Sequence, residues 1–481
     1  MPAAAAAGGS GSTQQYLRVW KRFHDLTHAP QLAVISAGGV AGSSSLLVLN
    51  GHTGEVLHEQ QLPYAIDKVV PQPQPVHDGA ADQFLFLLVE PLLPSSNAGQ
   101  PKVHLLPDSA SAQQHVAKSS GSLFFWLLQQ APDAGTAGAS TQTVLRGFGF
   151  EAGAVPAAGS GLLPVVPAWQ VVLPGQLLGL AAKDATEPVH SYVKVLGDRS
   201  LKYNYLNPNL LFVATGTSPE DAGNLPAEQQ QVSIALLNTV TGGVLHQQLH
   251  SGCAGPVHAV VSQNWVVYTL RDVVALRQQA TVVELYDASH HELSIATILL
   301  GRSKHSAALS SYSSPPLEVL SQSFYLQHSL TGISVSQTKQ GITTKQLLVN
   351  TMSDQVYALD KRYLDPRRPL RAKVTPEEAE ERLLPYHELV VFNALQYPTQ
   401  DKQVLGLRGV SVSSTVLEST TLVFCYGSDL YFTRISPALH FDSLQSDFSY
   451  GLLVVALLAL TIGTWFAGYS SQQAMLKAKW Q

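Results

Sequence analysis

Charged residues are scarce in this chain. They make up 13% of 481 positions, against 45% hydrophobic, where soluble domains carry roughly 25% charge. The composition therefore excludes a disordered, charge-rich chain, and a formal net charge of −5 argues against a nucleic-acid partner. Cysteine is scarcer still: Cys253 and Cys425 stand far apart, which excludes a disulfide framework and matches no zinc or redox spacing. One bond between them, or two buried thiols, both fit. There is no Gly-rich phosphate loop, no His-Glu-x-x-His and no Gly-x-Ser-x-Gly, so the usual signatures of phosphoryl transfer, zinc proteolysis and serine hydrolysis are missing. His290 and His291 lack a third ligand at metal spacing and read as a solvated turn. His24 and His28 stand i,i+4 without a general-base glutamate between them. No catalytic residue, metal or cofactor is expected.

The start, MPAAAAAGGSGST, has neither the basic region nor the apolar core of a signal peptide. The end is different. From Tyr450 to Tyr469 runs YGLLVVALLALTIGTWFAGY, 20 residues without a charge. As a helix it measures about 30 Å, the thickness of a bilayer's hydrocarbon core. Tyr450, Trp465 and Tyr469 sit where interfacial aromatics belong, Leu457 lies near mid-span, and Gly463 and Gly468 offer small faces to another helix. Asp442 and Asp447 precede the span and Lys477 and Lys479 follow it. The positive-inside bias then puts the tail in the cytosol and the body in the lumen. A lumenal body without a signal peptide is a conflict, and the simplest expectation is a sequence that begins inside a longer protein.

Between residues 31 and 440 the chain reads as repeated β-structure. Short runs such as SLLVLN (45–50), LLFVATG (210–216), NWVVYTL (264–270), TVVELYD (281–287) and KQLLVNT (345–351) are punctuated by Gly, Asn, Asp and Ser. TLVFCYGSDLYFTRI (421–435) is a hairpin. One repeat can be written out: LNGHTGEVLHEQ (49–60) and LNTVTGGVLHQQ (237–248) agree at eight of twelve positions. Their offset of 188 residues is roughly four propeller blades of ~40–50 residues. Asn50 and Asn238 end a strand, Gly54 and Gly242 supply a left-handed turn residue, and His58 and His246 match in the returning strand. A weaker copy lies at 348–361. The expected fold is all-β, a β-propeller with a few short helices, followed by one transmembrane helix.

Thr375-Pro376-Glu377-Glu378 is a helix start, expected to run to about Leu384. Residues 12–28 place Tyr16, Trp20 and Phe23 on one face of a basic amphipathic helix, which either lies in a membrane interface or packs on the propeller. Ala/Gly/Ser-rich stretches at 106–122, 130–162 and 216–230 read as loop insertions on the rim. The Thr-Gly turns are similar to quinoprotein dehydrogenase repeats, but leucines (Leu57, Leu245) stand where a tryptophan is common. A degenerate enzyme of that kind is one alternative; a type I propeller receptor or sorting protein is another.

From Ser191 onward the chain resembles the family of subunit one of the ER membrane protein complex. The matching runs include LGDRSLKYNYLNPNLL (196–211), GPVHAVVSQNWVVY (255–268), LDPRRP (364–369), LESTTLVFCYGSDLYFTR (417–434) and FDSLQSDFSY (441–450). The resemblance implies two lumenal propellers, a signal peptide and one membrane helix, of which this sequence lacks the first propeller and the signal. It further implies a scaffold subunit in a membrane insertase for tail-anchored and multi-spanning clients, partnered by the other subunits and the lipid bilayer. Residues 12–28 would be its interfacial brace helix.

Overall fold

A chain with few charges and many β-branched and leucine runs must bury both faces of its strands, and the architecture shows how. The computed structural model describes residues 15–18, 31–37, 44–50, 53–71, 76–78, 81–83, 85–91, 100–106, 108–132, 141–151, 153, 162–184, 187–217, 225–288, 311–312, 315–371, 373–438, 441 and 449–480. Among these, seven sheets follow one another along the chain, and a separate two-stranded hairpin pairs Val76–Asp78 with Ala81–Gln83. The first holds Gln15–Arg18, Gln31–Ala37, Ser44–Asn50 and Val56–Leu62; the second Lys68–Pro71, Phe86–Val89, Val103–Leu106 and Leu162–Leu163. The third is Phe124–Pro132, Thr141–Phe150 and Val165–Pro174, and the fourth Gln176–Ala182, Leu210–Gly216, Gln231–Asn238 and Val244–Ser251. The fifth is built on Cys253–Ser262, Trp265–Asp272, Arg277–Asp287 and Leu317–Leu326, with Leu389–Val390 added in parallel at its edge. Leu330–Val335, Gln346–Thr351 and Val356–Asp360 make the sixth; Gly409–Ser414, Thr421–Tyr426 and Leu430–Ile435 make the seventh.

Each neighbouring pair of sheets shares one apolar cluster, from first-on-second to sixth-on-seventh. Leu210–Gly216 illustrates the rule. Phe212 and Ala214 pack toward the fifth sheet while Leu211 and Val213 pack toward the third. Burial on both faces explains why the strand reads as an unbroken apolar run and not as an alternation. The first strands of the fourth to seventh sheets touch in succession, 176–182 on 253–262, 253–262 on 330–335 and 330–335 on 409–414. Successive sheets packed face to face around a common line of inner strands are a β-propeller.

Several expectations need correction. The helix over 12–28 does not form where the chain is described: Gln15–Arg18, with Tyr16, is a strand paired to Gln31–Ala37. A sheet edge offers main-chain partners that an isolated helical pattern cannot match. Trp20 and Phe23 lie outside the described residues. Two of the supposed rim loops are core. Ala110–Ser119 is a helix capped by Ser109, whose Oγ accepts from the Ala112 amide at 3.2 Å, and Ala112 and Val116 are fully buried. Thr141–Phe150 is the middle strand of the third sheet, with Val144, Leu145, Phe148 and Phe150 buried. The Thr375 helix has its capping box but covers only Pro376–Glu380. Arg382 turns left-handed (φ 59°), and the Arg382 and Leu383 amides donate back to Ala379 and Glu378, which closes the helix early.

The membrane-length helix starts at Tyr450 as expected but does not stop at Tyr469. It continues to Trp480, and the backbone of Lys477 and Lys479 is helical. Cys253 and Cys425 are free, buried thiols on different sheets, so the bond between them does not form.

Candidate assembly site

No group of three His, Cys, Asp or Glu side chains that could hold a metal exists among the described residues; His290 and His291 lie outside them. Burial pushes both cysteine thiols up to about 11, which leaves them protonated and poorly nucleophilic at neutral pH. The buried polar chemistry is engaged in joints between sheets.

The repeat turns are the first such joints. Gly54 (φ 73°) and Gly242 (φ 70°) both occupy the left-handed region. In each copy the asparagine carbonyl accepts from the glycine amide, Gly54 to Asn50 and Gly242 to Asn238, both at 2.8 Å. In each, a bulge follows, so that Val48 pairs with His58 and Leu49 with Val56, as Leu236 pairs with His246 and Leu237 with Val244. The second copy is covered. Trp169, on the third sheet, lies over Gly242, where an added Cβ would fall 2.6 Å from the indole. Its Nε1–H donates to the Thr239 carbonyl at 3.1 Å. On the other side the indole rests against Gly147, its cross-strand partner. Two glycines without side chains thus make a slot for one flat ring.

In the weak third copy Asp354 takes the left-handed position (φ 57°), which aspartate tolerates better than most residues. Its carboxylate accepts from the Gly406 and Leu407 amides at 3.1 and 3.2 Å, fastening the sixth sheet to the entry of the seventh.

A second joint is ionic. In the LDPRRP run, Arg367 pairs with Glu381 at 2.5 Å and Asp365 at 3.3 Å, while Lys194 approaches Asp365 at 3.6 Å. Lys361 donates to Glu284 at 2.8 Å, and the Tyr286 hydroxyl donates to the same carboxylate at 2.5 Å. Burial alone would raise the Asp365 carboxyl, but Lys194, Lys361 and Arg367 hold it down to about 2. Arg368 clamps the Pro385 and Tyr363 carbonyls. The run therefore binds the segment after the sixth sheet across the fifth. A further clasp is Glu418, which accepts from Thr338, Gln340 and Ile342 at 2.7–2.8 Å.

The membrane helix is exposed along its described side chains. Its threonine hydroxyls are satisfied within the helix: Thr461 donates to the Leu457 carbonyl at 3.0 Å and Thr464 to the Thr461 carbonyl at 2.9 Å, as a segment surrounded by lipid requires. Trp465 and Tyr469 stack at 6.1 Å. Among the described residues nothing lies within 4 Å of where a Cβ at Gly463 or Gly468 would stand.

Sequence reasoning named the repeat turns and the helix. It missed Trp169, Asp354 and Glu284, because a partner across a sheet boundary leaves no local spacing.

The family model "ER membrane protein complex subunit 1, second beta-propeller" matches residues 10–438. The chicken protein named ER membrane protein complex subunit 1 is 32% identical over 79% of this chain, and the Xenopus laevis one 29% over 94%. The Schizosaccharomyces pombe protein of the same name is 27% identical over 61%. The chain spans 35%, 42% and 31% of these relatives' lengths. On the family match and the chicken relative together, the chain belongs to the ER membrane protein complex subunit 1 family.

Proposed function

We propose that this chain is a non-catalytic scaffold of the ER membrane protein complex, holding a lumenal propeller over the membrane so that other subunits insert tail-anchored and multi-spanning clients. The observation that carries this reading is the exposed, membrane-length helix joined 14 residues after the last strand of a propeller of this family. Small residues at Gly463 and Gly468 allow a partner helix to approach closely, which drives helix association where lipid competes for apolar surface. The span carries no charge to guide a translocating segment, so its part is anchorage and lateral docking. Lys477 and Lys479 at its end support a cytosolic C-terminus.

Depleting the chain from ER membranes tests the proposal. A scaffold predicts that the abundance of the other subunits and the insertion of a moderately hydrophobic tail-anchored protein fall together. Insertion lost while the other subunits stay at full abundance would assign this chain the chemistry itself and contradict the reading.

A further inference from the structure

We propose that the turn at 415–420 of the seventh sheet is a lipid contact, whose Val416 and Leu417 side chains enter the interface of the bilayer that the chain's own helix crosses. The proposal rests on the reading of Tyr450–Trp480 as a membrane anchor and gives the propeller a second, peripheral hold on the same membrane.

The turn lies where the chain leaves for the bilayer. Ser414 pairs with Thr421, and Thr421 with Ile435, so the turn and the last residue of the last strand stand side by side at one end of the seventh sheet. The helix begins at Tyr450, with 14 residues between, a stretch that spans at most about 50 Å. The opposite end of the sheet, where Tyr426 pairs with Leu430, is one strand's length farther from that departure point, about 20 Å.

The turn is built to present apolar surface. Its sequence is TVLEST, with Val416 73% and Leu417 52% exposed. Its single charge is withdrawn: Glu418 is buried, and its carboxylate accepts from the Thr338 hydroxyl at 2.7 Å and the Gln340 amide at 2.8 Å. The same carboxylate accepts from the amide of Ile342 at 2.7 Å, which adds a third partly exposed apolar side chain beside the turn. The Thr415 hydroxyl accepts from the Leu417 amide at 3.1 Å and donates to the Thr420 carbonyl at 3.0 Å, so the tip is braced from within. A fixed, uncharged tip with apolar side chains outward suits the boundary between headgroups and acyl chains. Two side chains bind lipid weakly by themselves, but the membrane helix makes the contact intramolecular and so raises its effective concentration.

The test uses the full chain reconstituted in phosphatidylcholine vesicles whose acyl chains carry an alkyne tag. A photo-crosslinking residue stands at Leu417 or, in parallel, at Leu430, an equally apolar and 66% exposed position at the far end of the same sheet. The Leu417 probe is expected to capture tagged lipid at least ten times more than the Leu430 probe. A probe at Val416 should lose at least fivefold of its capture when Leu417 and Ile342 both become serine. Equal capture at the two ends, capture of a second copy of the chain at Leu417 in place of lipid, or a Val416 yield indifferent to the serine changes would overturn the proposal. Alkaline extraction of the same vesicles separates the two readings. A chain that is extracted loses the anchor; a chain that is retained while Leu417 captures no lipid loses only the contact.

Discussion

The hairpins at 49–60 and 237–248 share eight of twelve residues, the same bulge and the same left-handed glycine, yet among the described residues only the second is clamped by an indole. Identity of sequence fixed the turn; the neighbour fixed its role. At Gly242 the missing side chain makes room for an indole, whereas at Gly54 no described residue comes within 4 Å of a Cβ and the glycine answers the backbone angle. The contrast extends to the sheets around them. The second sheet meets the third partly through Lys68, whose Nζ lies 3.3 Å from the Trp126 ring centroid and donates to the Trp126 carbonyl at 2.8 Å. The fifth is tied instead by the paired charges of Glu284, Lys361, Asp365 and Arg367.

The largest expected effect is at the clamp. Trp169→Ala removes a half-buried ring and its hydrogen bond, and should cost about 3 kcal/mol in chemical unfolding. A loss under about 1 kcal/mol would mean that the indole merely rests on the turn.

Acidity should separate the two regions next. Burial pushes the Lys68 ammonium down to about 7 from 10.5, against the pull of Asp67. The unfolded chain then binds more protons between those values, so stability rises with pH across that window, by about 2 kcal/mol from pH 7 to 9. Hydrogen exchange in the second and third sheets, corrected for intrinsic rate, should slow accordingly, and Lys68→Met should abolish the dependence. Asp365 gives the same sign of dependence, but in a window several pH units lower. Its depressed carboxyl contributes roughly 2 kcal/mol above pH 4, lost as pH falls through about 2. The fifth sheet should therefore hold its protection well below the pH at which the second loosens; simultaneous loosening would erase the distinction.

The smallest effect, at Gly54, sharpens the comparison most when set beside Gly242. Gly54→Ala and Gly242→Ala both place a side chain at positive φ, at about 1 kcal/mol each. Gly242→Ala also meets the indole, so it should cost about 1–2 kcal/mol more, and Gly242→Val more again because branching is worst there. Equal costs at the two glycines would remove Trp169 from the account.

These contrasts also mark what the sequence could convey. The strand runs at 45–50, 210–216 and 281–287 and the helix start at Tyr450 were legible because their signals are local: apolar runs, turn residues and a charge-free stretch. Thr141–Phe150 was hidden because averaging over an Ala/Gly-rich stretch drowns TVLRGFGF, whose apolar residues face two neighbours. Ala110–Ser119 was hidden because alanine and serine look like linker until Ala112 and Val116, one turn apart, find a core. Tyr16 lay in a convincing helical pattern that pairing with Gln31–Ala37 overrode. The joints were not legible at all, since Trp169 and Thr239 meet only after two sheets pack.

The central claim is a lumenal propeller held by one crossing helix, and protease treatment of intact ER microsomes tests it most directly. With a tag after Gln481, the account predicts that the tag is clipped while the sheets from Gln31 to Ile435 stay protected. A protected tag, or a propeller digested without detergent, would contradict it.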